Sequence, residues 1–407
     1  MTSCVSGEHT PKTAPAEAGE SVVASPAAAP TVVVVGGGQL ARMMAPAAVA
    51  LGVGLRVVAQ SRQDSAALAI PDVVVSEHTD LAGVCAAAEG AAVLTFDHEH
   101  VPMPVLAAVA QAGVAVRPAA SALRHAQDKI VMRRRLAGGS IGQPRWQVVT
   151  DPGEISAFAE QAGWPVVVKT PRGGYDGKGV RVVDETSLQQ VQSWWADSPD
   201  GLLVEERVDF VRELAVLVAR SPSGQAAAWP VVQTMQRDGI CDTVIAPAPE
   251  LDDELAGIAT QTGLRIADQI GVTGVLAVEG FQTADGRFLV NELAMRPHNS
   301  GHWTIDAAVT SQFEQHLRAV LDLPLGDPRP RARWAVMCNI LGGQHPDLYR
   351  SYLHVMARDP ALKAHLYAKA VRPGRKVGHV TAYGADLDDV QARARHAADF
   401  IMGVIDE

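Results

Sequence analysis

Residues 164–183 read WPVVVKTPRGGYDGKGVRVV, in which a glycine-rich loop separates two strand-like apolar runs. The loop glycines leave successive backbone N–H groups uncovered: Gly173, Gly174, Gly177 and Gly179. Lys169 closes the first run, and Lys178 adds charge near the loop tip. Such a loop can form an anion nest and close over a nucleotide. The alternative is a mobile hairpin carrying solvated lysines; the loop is not a P-loop, because it lacks GxxxxGK[ST].

The flanking regions predict two different kinds of sheet. Residues 31–52, TVVVVGGGQLARMMAPAAVALG, predict a buried strand, a glycine turn and a helix, and the alternation of strands and helices continues to about residue 116. Alternation of this kind predicts a parallel sheet with helices on its faces, at about 31–120. After the connector, antiparallel strand signals predominate, with helices expected near 186–197 and at about 250–270.

Composition narrows the class of protein. The chain has 407 residues, 47% hydrophobic and 20% charged, which predicts a soluble globular protein of two to four domains. Its formal net charge of -10 argues against a nucleic-acid coat. Four scattered cysteines without a CxxC pair disfavour a disulfide scaffold or structural zinc and suggest a reducing cytoplasm. No apolar run reaches the ~18 residues of a membrane span.

Residues 1–30 are rich in Ala, Pro, Ser, Thr and Glu, without the basic start and apolar centre of a secretion signal. We expect a disordered leader there.

A predicted hairpin carries two carboxylates. If it turns about Ala284 and Asp285, Glu279 lies opposite Val290, and Glu292 lies two residues farther along the same face. Paired carboxylates suit a hard cation such as Mg²⁺ that bridges phosphates. The alternative is a pair of solvated surface carboxylates, which the apolar neighbours on both strands disfavour.

Three polar segments offer further ligand groups. RPHNSGHWT (296–304) places Arg296, His298, Asn299 and Ser300 on one turn-rich loop, which favours ligand contact over packing. RPGRKVGH (372–379) clusters cations that suit either a phosphate monoester or a solvated basic turn, and this choice stays open. TFDHEHV (95–101) ends a parallel-type strand, so Asp97 and Glu99 either bind ligand or cap a loop.

The glycine turn after the first strand contains Gly36-x-Gly38-x-x-Ala41, a form of the dinucleotide fingerprint. The second strand ends VVAQSRQD, without the expected ribose-binding carboxylate. An NAD-linked oxidoreductase is therefore disfavoured, and binding of another phosphate or a plain tight turn is preferred.

Taken in order, these segments resemble the ATP-grasp superfamily and, within it, the 5-(carboxyamino)imidazole ribonucleotide synthetases. The resemblance rests on GGGQLARM, TFDHEHV, QDK, VVKTPRGGYDGKG, VEE, VNELAMRPHNSGHWT and RPGRKVGH. It implies α/β and α+β architecture: a Rossmann-like preATP-grasp domain at 31–120, an ATP-grasp domain of two lobes at 121–325 with a lid lobe at about 145–206, and a small C-terminal domain at 326–407.

The resemblance also implies an activity and its partners. The activity is ATP-dependent carboxylation of 5-aminoimidazole ribonucleotide by bicarbonate through carboxyphosphate, in purine biosynthesis. ATP and Mg²⁺ would be the cofactors, the enzyme would be a cytoplasmic homodimer, and its product would pass to a mutase.

Site residues follow from the same resemblance. Nucleotide contacts would come from His125, Lys129, Lys169, Gly173, Gly174, Gly177, Lys178, Gly179, Glu205, Glu206, Val208, Glu213, Asn291 and Glu292. Glu279 and Glu292 would hold the metal ion. Carboxylation would involve Tyr175, Asp176, Arg296, His298 and Asn299. The ribonucleotide would meet Gln39, Leu40, Glu99, Ser300, Arg375 and Lys376.

The chain departs from the family pattern at a few positions. Ala41 stands where glycine is usual, and Asp97 where glutamate is usual, so Glu99 is the preferred ligand. His125, with Arg124 beside it, stands where the family often has arginine, and which of the two contacts ATP stays open. The wider superfamily's asparagine metal ligand is replaced by Ala294, and in this the chain is like its close family.

Two other functions compete with this one. Another ATP-grasp ligase, such as a formate-using glycinamide ribonucleotide transformylase or a biotin carboxylase-like enzyme, is disfavoured by RPHNSGHWT and RPGRKVGH. A non-catalytic nucleotide-binding regulator is disfavoured because Glu279, Glu292, Lys129 and Lys169 are all retained.

Overall fold

The computed structural model describes residues 29–174, 178–343 and 345–406. The leader predicted for residues 1–30 lies outside these ranges, apart from its last two residues. Among the helices described, none combines the length and the apolar character needed to cross a bilayer.

The first sheet is parallel and buried on both faces, as predicted. Its strands are β1 (Thr31–Val35), β2 (Gly54–Ala59), β3 (Asp72–Val75), β4 (Val93–Phe96) and β5 (Ala115–Val116), in the order β3-β2-β1-β4-β5. Its helices are α1 (Gln39–Leu51), α2 (Leu81–Ala88) and α3 (Met103–Gln111). Val33 and Val35 face one apolar core and Val32 and Val34 the other, which explains the unbroken valine run.

The glycine turn after β1 is shaped by the loop that follows β4. Gly36 has φ +114°, and a Cβ there would lie 2.8 Å from Asp97 Cβ. The Gly38 N–H donates to the Asp97 carboxylate. Because Gly36 and Gly38 have no side chains, the loop after β4 can approach the turn closely. This contact explains why glycines stand at the fingerprint positions without a bound dinucleotide.

Two helices, α4 (Ala120–Gln127) and α5 (Lys129–Gly138), lead into a small antiparallel sheet. This sheet contains β6 (Trp146–Val149), β7 (Val166–Lys169), β8 (Val180–Val183) and β9 (Leu202–Glu206) in the order β6-β9-β7-β8, with α6 (Pro152–Ala162) packed on it. The helix predicted near 186–197 is a 3₁₀ helix, Leu188–Asp197. Leu188, Val191 and Trp194 all pack into the core of this lobe, and their spacing of three residues matches the 3₁₀ period.

The largest sheet spans the rest of the chain. Its strands are β10 (Phe210–Arg220), β11 (Ala226–Ala228), β12 (Val232–Arg237), β13 (Ile240–Ala246), β14 (Gly274–Thr283), β15 (Phe288–Ala294), β16 (Trp334–Leu341), β17 (Lys363–Leu366) and β18 (Lys376–Gly384). Its helices are α7 (Asp253–Ile270), α8 (Thr304–Ala307), α9 (Gln312–Val320), α10 (Tyr352–Arg358) and α11 (Leu387–Met402). The order is β15-β14-β10-β12-β13-β16-β18-β17, with β11 paired to β10. Since β13 pairs with β16, the sheet continues across the predicted boundary at residue 326, and the domain limits stay predictions.

The predicted register of the β14–β15 hairpin is wrong in one respect. Gly280 pairs with Val290, but Glu279 pairs with Glu292, because a bulge inserts Asn291 between them. Glu279 therefore lies directly opposite Glu292 rather than opposite Val290. The bulge also turns Asn291 away from the pleat, toward the small sheet.

Candidate active site

Three carboxylates share one face of the large sheet. Glu279 pairs with Glu292 on β15 and with Ala215 on β10, so these residues lie on the same face. Glu213, two residues before Ala215, joins them. Burial raises the pKa of Glu213 to about 7, and the charge of Glu279 adds to that rise. Glu213, Glu279 and Glu292 thus form an acidic face beside the lobe that carries the glycine loop.

Glu279 is held ionised by its neighbours. His298 Nε2 lies 2.9 Å from Glu279 Oε1. Burial alone would raise the pKa of Glu279, but the charges of His298, Lys376 and Arg296 and the hydrogen bond from His298 lower it below its ordinary value. An ionised carboxylate is the form that binds a metal ion.

These carboxylates fit a magnesium ion that also binds phosphate. In the residues described, no group of three or more His, Cys, Asp or Glu side chains converges as a metal cage. Mg²⁺ commonly takes only one or two protein carboxylates and completes its shell with substrate phosphates and water. The directly opposed Glu279 and Glu292 supply that donor set, and Glu292 is nearly half exposed.

A buried ionic triad joins the small sheet to α5. Glu205 accepts from Arg133 Nε at 2.6 Å and pairs with Lys169 Nζ at 2.7 Å. Lys169 Nζ also donates to Asn291 Oδ1 at 2.9 Å, across the two sheets. Burial raises the pKa of Glu205, but the two cations overcome it and bring that pKa to about 2. Glu205 thus fixes Lys169 beside the bulge.

Lys129 joins the acidic face to the base of the glycine loop. Its Nζ lies 3.8 Å from Glu292 Oε1 and donates to Gly173 O at 3.2 Å. Its backbone N–H donates to Pro171 O at 2.8 Å. Asp128 caps α5 and pairs with Arg172 at 2.9 Å. The loop therefore starts from a fixed base at the N-terminus of α5.

The loop narrows to a tight neck. Thr170 N donates to Gly179 O at 2.9 Å, which continues the ladder between β7 and β8. Gly174 has φ +78°, and a Cβ there would lie 2.3 Å from Lys178 O, so no other residue fits. Tyr175, Asp176 and Gly177, for which catalytic and nucleotide contacts are predicted, lie outside the described residues.

A depression beside the lobe brings together Glu206 and Val208, two of the predicted nucleotide contacts. It is lined by Glu206, Val208, Leu289 and the hairpin turn after β14. The Glu206 carboxylate is occupied by Arg145, whose Nε lies 2.6 Å away.

His125 is half-buried on α4, and its Nδ1 lies 3.1 Å from Ala122 O. Burial lowers the pKa of His125, which keeps it neutral.

The N-terminal domain closes one side of the site through Glu99. Glu99 Oε2 accepts from Arg296 Nε at 2.8 Å, and its Oε1 accepts from Met295 N at 3.2 Å. Burial raises the pKa of Glu99, but the charge and hydrogen bond of Arg296, a backbone hydrogen bond and the charge of His298 together lower it below its ordinary value, so the carboxylate stays ionised. In this structure Glu99 orients Arg296 at the end of β15.

The loop after β15 presents the other predicted groups. Ser300 is fully buried and contacts His298 through its hydroxyl. The side-chain amide of Asn299 is buried, and neither of its polar atoms has a hydrogen-bond partner among the described residues at normal geometry. Such an amide is a ready ligand group.

The predicted ribonucleotide residues come from both ends of the chain. Lys369 Nζ donates to Gln39 Oε1 at the start of α1. Leu40 packs its side chain into the core, so it offers only its backbone. Arg375 is exposed and donates to Ala370 O at 3.3 Å. A bulge at Val377 turns Lys376 toward the acidic face, where its charge lowers the pKa of Glu279.

Sequence reasoning missed Arg133 and Lys369. Arg133 is fully buried, unlike the exposed Arg134 and Arg135, and stands one helical turn after Lys129. That spacing was the available signal. Lys369 lies six residues before Arg375, and only its hydrogen bond to Gln39 places it beside a predicted ribonucleotide residue.

Family models match three successive parts of the chain. They are the ribonucleotide synthetase preATP-grasp domain over residues 29–127, the ATP-grasp domain over 135–313, and the phosphoribosylaminoimidazole carboxylase C-terminal domain over 335–393.

Individual proteins are similar over nearly the whole chain. The N5-carboxyaminoimidazole ribonucleotide synthase of Mycobacterium tuberculosis is 55% identical over 92% of this chain and 88% of its own length. The Aspergillus clavatus carboxyaminoimidazole ribonucleotide synthase complexed with ATP superposes with a TM-score of 0.85 at 30% identity, covering 93% of this chain and 99% of that one. The A. clavatus enzyme with ADP and 5-aminoimidazole ribonucleotide gives a TM-score of 0.83 at 30% identity, covering 92% and 99%.

Proposed function

The chain belongs to the N5-carboxyaminoimidazole ribonucleotide synthase family, and from that premise we propose how its residues act. It is an ATP-grasp ligase that carboxylates 5-aminoimidazole ribonucleotide at the expense of ATP, a step of purine biosynthesis. The observation that best supports our division of roles is the Asn291 bulge. It sets Glu279 and Glu292 side by side while directing Asn291 to Lys169.

ATP lies between the small sheet and the large one. Its adenine occupies the depression at Glu206 and Val208, and Glu213 faces the ribose. Lys129 and Lys169 contact the phosphates, Lys169 being fixed by Glu205. The glycine loop, which begins at the base made by Lys129, contributes further nucleotide contacts, and Tyr175 and Asp176 take part in carboxylation. His125, or Arg124 beside it, contributes the remaining phosphate contact.

When bound at Glu279 and Glu292, Mg²⁺ supplies positive charge that stabilises the transferring phosphoryl group. The protein supports that site through His298, which holds Glu279, and through Lys129, which lies close to Glu292.

The carboxylation has two chemical steps. A bicarbonate oxygen attacks the γ-phosphorus, the bond to ADP breaks, and carboxyphosphate forms. The exocyclic amine then takes up the carboxyl carbon, either directly or as CO₂ released in place; the bond to phosphate breaks, and the amine loses a proton. Arg296, His298 and Asn299 surround this centre, with Arg296 held by Glu99.

The ribonucleotide binds between the N-terminal domain and the C-terminal strands. Gln39, the backbone at Leu40, Lys369 and Arg375 receive its phosphate, with Ser300 and Lys376 on the side of the acidic face. This arrangement brings the acceptor amine toward His298. We further propose that the enzyme is a cytoplasmic homodimer whose product passes to a mutase.

The proposed reaction is tested by phosphate release with either of two acceptors. We expect phosphate release from ATP to require both bicarbonate and 5-aminoimidazole ribonucleotide. Glycinamide ribonucleotide with formate should give no release above background. Release with the second pair and not the first would instead identify a formate-using transformylase.

Ribonucleotide binding is expected to depend on Lys369. A charged hydrogen bond contributes about 1.5–3 kcal/mol, so Lys369→Met should weaken binding of 5-aminoimidazole ribonucleotide by roughly 10–150-fold. Titration calorimetry measures both this and ADP affinity, which serves as the internal control because ADP lies elsewhere. Unchanged ribonucleotide affinity in the variant would exclude Lys369 from the phosphate site.

A further inference from the structure

A fully buried side-chain amide on α9 forms two hydrogen bonds to the backbone of His298. Gln312 is the first residue of that helix and is 0% exposed. Its Oε1 accepts from His298 N at 2.8 Å, and its Nε2 donates to His298 O at 2.7 Å. One side chain thus satisfies both backbone groups of a residue proposed to act in carboxylation.

Other contacts fix the Gln312 side chain in this position. Gln312 Nε2 also donates to His302 Nδ1 at 3.0 Å, and Gln312 N donates to Thr304 Oγ1 at 2.9 Å. Gly301 packs against the amide so closely that a Cβ there would lie 2.4 Å from Gln312 Oε1. The amide therefore has little freedom to move away from His298.

Fixing the backbone also fixes what the His298 ring can do. The Ser300 hydroxyl lies 2.9 Å from His298 Nδ1 and orients the ring so that Nε2 points to Glu279. Nε2 then donates to Glu279 Oε1 at 2.9 Å. A rotated or shifted His298 backbone would lose this contact with the metal carboxylate.

We propose that Gln312 is a positioning residue for carboxylation: it sets the His298 backbone so that the ring faces Glu279 and the reacting centre. This inference rests on the proposed function and extends it to a residue that touches neither substrate nor metal. Displacements of about 1 Å in such a site can cost about 10²-fold in rate.

The same helix supplies a matched control. Gln315 is also 0% exposed, and its amide grips a backbone in the same way: Oε1 accepts from Gly326 N at 2.7 Å, and Nε2 donates to Gly326 O at 2.8 Å. Gly326 lies outside the proposed site. Gln312→Met and Gln315→Met therefore each remove an amide that holds one backbone N–H and one C=O, and they differ in which backbone they release; Gln312→Met also removes the hydrogen bond to His302.

The test compares the two variants in carboxylation, ADP affinity and thermal unfolding. We expect both to lose similar thermal stability and to retain ADP affinity. Gln312→Met should lower kcat by about 10²-fold with little change in KM for ATP, whereas Gln315→Met should keep a near wild-type kcat. Equal kcat in the two variants would overturn the positioning role.

A second pair of variants keeps the proposal testable if Gln312→Met does not fold. If Gln312→Met is insoluble, Gln312→Glu retains the size and the acceptor for His298 N–H but sets an oxygen against the His298 carbonyl. Gln315→Glu makes the same change at the control, and the same inequality in kcat is expected. A wild-type protein that does not carboxylate 5-aminoimidazole ribonucleotide overturns the proposed function and this inference together. If the wild type carboxylates 5-aminoimidazole ribonucleotide but the Gln312 and Gln315 variants have equal kcat, this inference alone is overturned.

Discussion

Glu292→Gln is expected to lower ATP turnover by at least about 10²–10³-fold while leaving the fold intact. The substitution keeps the shape of the side chain but removes the negative charge that, with Glu279, forms the proposed magnesium site. Glu292 is nearly half exposed, and its neighbour Lys129 keeps its hydrogen bond to Gly173 O, so the unfolding temperature should change little. Steady-state phosphate release and thermal unfolding measure the two effects.

The control for this variant is Glu254→Gln, an identical change on the exposed first turn of α7. It should retain wild-type turnover. Raising the Mg²⁺ concentration should restore part of the activity of Glu292→Gln, because the defect is weakened metal binding. Wild-type turnover in Glu292→Gln at ordinary Mg²⁺ would exclude Glu292 as a metal ligand.

Glu205→Gln is expected to lower the free energy of unfolding by about 3–5 kcal/mol. The substitution leaves Lys169 and Arg133 as buried cations without their shared carboxylate. Glu206→Gln is the matched control at the next position, because Glu206 is only partly buried and pairs with the exposed Arg145, and it should cost no more than about 1 kcal/mol. Denaturant unfolding at neutral pH measures both changes, and similar losses would contradict the importance of the buried triad.

The Glu205 effect should also depend on pH. The pKa of Glu205 is about 2 in the folded protein against 4.5 for the unfolded chain. A depressed folded pKa means that the stabilisation is complete above about pH 4.5 and is lost as the pH falls toward 2. The stability difference between wild type and Glu205→Gln should therefore shrink over that interval.

Much of the site was predictable because chemistry and periodicity coincide in the sequence. The valine run of β1, the turn at Ala284 and Asp285 and the carboxylates of Glu279 and Glu292 each carry a local signal. The bulge at Asn291 does not, because one extra residue leaves both strand patterns apolar and alternating. That single residue decides which side chains oppose each other.

Burial of polar groups was also beyond the sequence. Arg133, Arg134 and Arg135 are identical in type, and only tertiary packing places Arg133 against Glu205. Gln312 has no local signal either, since its partner His298 stands fourteen residues earlier, on the other side of α8. Glu205 is a further case: its motif predicts a nucleotide contact, and only the structure shows that its carboxylate also pairs with two buried cations.

The most direct measurement follows oxygen and carbon from bicarbonate into the products. The enzyme is given ATP, 5-aminoimidazole ribonucleotide and freshly dissolved bicarbonate labelled with ¹³C and ¹⁸O, and phosphate and nucleotide are analysed by mass spectrometry. Attack of bicarbonate on the γ-phosphorus predicts ¹³C in the carboxylated ribonucleotide and one ¹⁸O in each phosphate released. Phosphate without ¹⁸O, with its fourth oxygen from water, would contradict carboxyphosphate formation and with it the proposed use of the site.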